Sequence, residues 1–76
     1  MDIVEQIIKI QEEKGWNNKV FASRIGIDDN YLSSIMNKKR PATLQVLKKI
    51  SDCTGLVLIS RYEKGKLEMY FEADQK

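Results

Sequence analysis

Only Ile27 and Asp28 separate Gly26, where one short apolar helical pattern stops, from Asp29, where the next begins. Two helices joined so tightly must turn sharply and bury a common interface. That demands a small residue where the backbones approach and, at the turn, a residue that accepts positive φ. Ala22 and Gly26 meet these demands. Ile25 and Ile27 bracket the turn as core anchors, and Leu32 and Ile35 lie on the inner face of the second helix.

The rest of the chain is punctuated by Gly15, Pro41, Gly55 and Gly65. A first helix is predicted from Asp2 to Lys14, capped by Asp2, with Val4, Ile7, Ile8 and Gln11 at helical spacing and Ile3 and Ile10 widening the stripe. Asn17 caps the second, in which Val20, Phe21, Ala22 and Ile25 are the buried set; Trp16 just before the cap is placed to staple onto Phe21. Asp28 caps the third, running to Asn37. Its outer side carries Asp29, Asn30, Ser33, Ser34 and Asn37, short polar side chains where an ordinary solvent face carries Glu and Lys. After the basic loop Lys38-Lys39-Arg40-Pro41, Thr43 caps a fourth helix with a stripe of Leu44, Leu47 and Ile50, flanked by Val46 and Cys53 and closed by Gly55.

From Leu56 onward the period changes to that of strands. Lys64-Gly65 suits a two-residue hairpin turn; pairing Glu63 with Lys66 then sets Arg61 opposite Glu68. Leu58, Ser60, Tyr62, Leu67, Met69 and Phe71 share the other face. A two-stranded hairpin is marginal alone, so it must either fold back over the helices or pair an open edge with a twin. A frayed tail is expected at residues 73–76.

Seventy-six residues make one small domain with a thin core. A lone cysteine, Cys53, rules out an internal disulfide and suits a reducing cytoplasm. Histidine is absent, which removes the commonest general base and the usual zinc ligands, and there is no glycine-rich phosphate loop. No apolar run approaches the roughly 18 residues of a membrane span. A cytoplasmic, non-enzymatic protein is expected, with no cofactor, no metal, no membrane association and no evident small-molecule ligand. The charge is uneven. Residues 16–50 hold seven Lys and Arg against two Asp, whereas residues 1–15 and 51–76 are both net negative. Such a concentrated basic excess is what a nucleic-acid footprint looks like.

The spacing of Ala22, Gly26, Leu32 and Ile35, with Glu12 to Trp16 before it and Asn37 to Pro41 after it, resembles the helix-turn-helix of the phage Cro and repressor family. The wider group of small bacterial regulators named after the Xre repressor is similar, and the likeness covers about Ile7 to Leu56. The resemblance implies a mainly α fold: a compact four- to five-helix repressor-like DNA-binding domain at residues 1–55, its helix-turn-helix at about 18–37. The hairpin at 56–72 would then be a dimerisation or core-covering element.

Carried over residue by residue, the resemblance puts Asn18 where relatives have a glutamine that touches DNA phosphate. Asp28, Asp29, Asn30, Ser33, Ser34 and Asn37 would face the major groove. There Asn can bond adenine twice, Ser can serve either partner type and Asp can accept from cytosine. Lys19, Lys38, Lys39 and Arg40 are the expected phosphate contacts. Asp28 and Asp29 put negative charge at the end that nears phosphates, which capping and the helix dipole also explain. The function so implied is a sequence-specific transcriptional regulator, a repressor of phage or mobile-element type, binding a palindromic duplex operator as a homodimer. An antitoxin or restriction-modification controller of the same fold, or a protein-binding inhibitor on this scaffold, is the alternative.

Overall fold

The computed structural model describes residues 2–73. Among them are four helices, α1 (Ile3–Lys14), α2 (Asn18–Ile25), α3 (Asp29–Met36) and α4 (Leu44–Thr54), followed by strands β1 (Val57–Glu63) and β2 (Lys66–Glu72). Each helix starts where a short polar side chain can satisfy a free backbone N–H. Asp2, Asn17, Asp28 and Thr43 all have extended backbone and accept from the N–H of Val4, Val20, Asn30 and Val46 in turn. The third helix ends one residue earlier than its apolar pattern suggested, with Asn37 as its cap.

Gly26 takes φ +79°, and the Ala22 carbonyl accepts from the N–H groups of both Gly26 and Ile27 at 2.9 Å. That left-handed residue ends α2 and turns the chain at once into α3. Ala22, Ile25, Leu32 and Ile35 are buried, so the short turn does bring the two inner faces together.

One cluster forms the core: Ile7 and Ile10 of α1, Phe21, Ala22 and Ile25 of α2, Leu32 and Ile35 of α3, Val46, Leu47 and Ile50 of α4, and Phe71 of β2. Two expected members lie elsewhere. Leu44 is 49% exposed because it opens α4 beyond the packed layer, and Val46 takes its place in the core. Val20 is 38% exposed on the outer side of α2. In α1 the buried line is Val4, Ile7 and Ile10, with Ile8 at its margin. Cys53 packs, half-buried, against the core as a free thiol.

β1 and β2 pair antiparallel with Glu63 opposite Lys66, Arg61 opposite Glu68 and Leu58 opposite Phe71. Lys64 and Gly65 both have positive φ, as a tight mirror-image turn requires. Arg61 nevertheless pairs along its own strand, its Nε 3.9 Å from Glu63, and forms no ion pair across to Glu68. The hairpin folds back on the helices through Phe71, with Leu58 and Met69 beside it. Gln6 of α1 completes the edge of β2: its carboxamide accepts from the Phe71 N–H at 2.9 Å and donates to the Phe71 carbonyl at 3.3 Å. The far half of that face runs past the bundle, leaving Tyr62 73% and Leu67 56% exposed. Of the expected frayed tail only Ala73 is described, outside any strand; residues 74–76 lie outside the described part.

Candidate nucleic-acid interface

The outer side of α3 is built by its inner side. Leu32 and Ile35, fully buried, fix the helix against α1 and α2, so Asp28, Asn30 and Asn37 stay exposed while Asp29, Ser33 and Ser34 are half-buried. The residues expected to read bases therefore lie on one helix and its two caps, but they are not equally free to do so. Asp28 spends one carboxylate oxygen on the Asn30 N–H at 3.0 Å, as a cap. Ser34 turns its hydroxyl inward and donates to the Asn30 carbonyl at 2.9 Å, which leaves Oγ only as an acceptor for an outside group. Asn37 donates weakly to the Ser33 hydroxyl at 3.4 Å. The Asn30 carboxamide forms no hydrogen bond among the described residues and keeps its donors and its acceptor available.

Downstream of α3 the chain coils tightly. Lys38 adopts φ +62°, a conformation that costs a side chain energy, and the Ser34 carbonyl accepts from both Lys39 and Arg40 N–H groups. This fold-back holds three successive cations, Lys38, Lys39 and Arg40, all exposed, beside the end of α3. The Arg40 guanidinium lies 5.8 Å from the ring centre of Tyr31, a residue of α3 itself.

Lys38 differs from its neighbours in being paired. Its ammonium sits 3.0 Å from Asp2, whose other oxygen caps α1. The Val4 N–H and then Lys38 hold the Asp2 carboxyl below the usual carboxylate range. The hydrogen bond to Asp2, and the charge behind it, push Lys38 above the ordinary lysine value.

At the start of α2, Lys19 is exposed and Asn18 is half-buried, its Oδ1 accepting from Gln11 Nε2 at 2.6 Å. Trp16 packs on Phe21 with ring centres 5.6 Å apart, as the staple predicts, and carries the Arg24 guanidinium over its ring at 4.8 Å from the centre. Gln11, Asp2 and Arg24 escaped the sequence reading of the site. Each acts through a partner that helical periodicity does not reveal, although the sign of Asp2 and Arg24 was visible.

Beyond this face, an open groove of about 640 Å³ lies between α1, the start of α4 and β2, lined by Ile3, Gln6, Leu47, Leu67 and Met69 among others. No group of three or more metal-ligating side chains occurs among the described residues. No described helix is long and apolar enough to cross a membrane. Among curated proteins and among solved structures, no match to the chain is found. A model of the helix-turn-helix family matches residues 7–58, which takes in α1 from Ile7 onward, all of α2, α3 and α4, and the start of β1. With its two short capped helices joined at a left-handed glycine, this chain belongs to the Xre/Cro-type helix-turn-helix family of DNA-binding regulators.

Proposed function

We propose that this protein is a cytoplasmic, sequence-specific transcriptional repressor of phage or mobile-element type. It binds a palindromic duplex operator as a homodimer. The observation that carries the reading is the outer side of α3: a row of short polar groups, exposed or half-buried, in which the exposed Asn30 carboxamide is unengaged, flanked by exposed Lys39 and Arg40. Asn30 reads a base edge, assisted by Ser33, Ser34 and Asn37. Lys19, Lys38, Lys39, Arg40 and Asn18 grip phosphates and set the register. Asp28 serves the fold as a cap and Asp29 favours the helix dipole, so neither is needed for affinity.

Residues 1–55 carry the DNA contacts in this reading and residues 56–72 the association of two copies. Exposed Tyr62 and Leu67 on the projecting half of the hairpin support the second role. A two-fold dimer presents its α3 helices to half-sites about 34–36 Å apart. An antitoxin or restriction-modification controller would use the same DNA face, so partner binding alone separates those roles. A purely protein-binding inhibitor leaves the exposed cations around α3 without a purpose.

The test is binding to labelled duplex across a salt series. Affinity falls steeply between about 50 and 200 mM salt as condensed counterions return. Asn30→Ala flattens sequence preference, whereas Lys39→Ala weakens all sequences alike and lowers the salt slope by about 1. Undetectable binding to any duplex at low salt would remove the proposal.

A further inference from the structure

We infer that Gln11 is a positioning residue for the DNA contact made by Asn18. The inference rests on the proposed DNA reading and adds a residue that neither the turn nor the recognition helix contains. Gln11 lies near the end of α1 and Asn18 opens α2, seven positions on, across the Gly15 turn and the Asn17 cap. Gln11 Nε2 donates to Asn18 Oδ1 at 2.6 Å, and both side chains are half-buried.

A carboxamide has one accepting oxygen and one donating NH2, and a phosphate oxygen can only accept. Asn18 therefore grips phosphate only if its NH2 is the end presented. With Oδ1 held by Gln11, the remaining face of the amide is the donor, and Asn18 Nδ2 forms no hydrogen bond among the described residues. Without Gln11 the amide can turn over and offer oxygen to oxygen. The short, half-buried contact also removes rotamer freedom before DNA arrives, so less entropy is lost on binding. This matters for Asn18 because it is one methylene shorter than glutamine and has less reach to recover from a misdirected amide.

Gln11→Met keeps size and helical preference but cannot donate. Gln11→Glu can only accept, so it draws Asn18 Nδ2 to itself and turns Oδ1 outward. Duplex affinity should fall about two- to tenfold in Gln11→Met and further in Gln11→Glu. In Gln11→Met the loss should be equal for all sequences, with the salt slope unchanged, because a neutral amide displaces no counterion. In an Asn18→Ala background, Gln11→Met should change nothing more. A merely structural Gln11 would instead lower affinity in both backgrounds and lower the melting temperature, and that result overturns the inference. So does a Gln11→Met protein that binds like wild type while Asn18→Ala binds weakly. Asn18→Ala binding like wild type overturns this inference while leaving the α3 reading intact, and a wild-type chain that binds no duplex overturns both.

Discussion

Asp2→Asn isolates Lys38, the one cation of the basic loop held in an ion pair among the described residues. Asn caps a helix as well as Asp does, so the Val4 N–H keeps its acceptor and α1 keeps its start. The negative charge 3.0 Å from the Lys38 ammonium disappears, and the lysine is released. Both side chains are open to solvent, 40% for Asp2 and 60% for Lys38, so the pair is well screened and folding should be almost unaffected. DNA binding should change, because Asp2 and phosphate compete for one ammonium. Relative to wild type, affinity for random duplex at low salt rises about two- to fivefold, the range an exposed ion pair can account for. The salt slope steepens by up to about 0.9, the contribution of one further phosphate contact. Fluorescence anisotropy over a salt series measures both quantities, and Glu63→Gln on the hairpin controls for the same change in net charge. If Asp2→Asn and the control behave alike, Lys38 is no phosphate contact and serves to tie the exit of α3 to α1.

Three further outcomes follow from the geometry. Gly26→Ala meets no atom within 4 Å of the new Cβ, so its cost of about 1–2 kcal/mol is backbone conformation alone. At that cost the circular-dichroism melting temperature falls by about 5–15 °C, and a wild-type melt would contradict the left-handed turn. Phe71→Ala opens the core under the hairpin at a cost of about 3–5 kcal/mol; urea unfolding should show it as a large loss of stability, and a loss under about 1 kcal/mol would mean that the hairpin is not seated there. The Asp2–Lys38 pair also sets a pH window. Asp2 is held low, so its stabilisation is complete above the usual carboxylate range and is lost as pH falls through its lowered value; Lys38 is held high, so its share persists until pH rises through its raised value. Wild type and Lys38→Ala should therefore differ by a constant amount through neutral pH and converge in strong acid, and a difference that peaks in acid would refute the pairing.

The local parts of this fold were legible because they rest on local chemistry. Asp2, Asn17, Asp28 and Thr43 were each readable as caps, and Lys64-Gly65 fixed a register in which Arg61 meets Glu68, as observed. Periodicity identifies a face but not how deep each residue lies on it. Leu44 and Val20 fit the apolar stripes and still emerge at the surface, one past the packed layer and one on its outer side. The side-chain contacts between separate elements were invisible for a related reason. Gln6 with Phe71, Asp2 with Lys38, and Gln11 with Asn18 join residues that only the folded chain brings together. Even within α3, the sequence offers Ser34 as a reader, whereas the helix has already claimed its proton.

Selection of bound sequences from a random duplex pool, run in parallel on the wild-type chain and on Asn30→Ala, tests the central claim most directly. Recognition by paired α3 helices predicts enrichment of an inverted repeat with half-sites about one helical turn apart. The Asn30→Ala pool should lose preference at one symmetric pair of positions while the rest of the site persists. No enrichment from the wild-type pool, or a site that Asn30→Ala leaves wholly unchanged, would contradict α3 as the reading element.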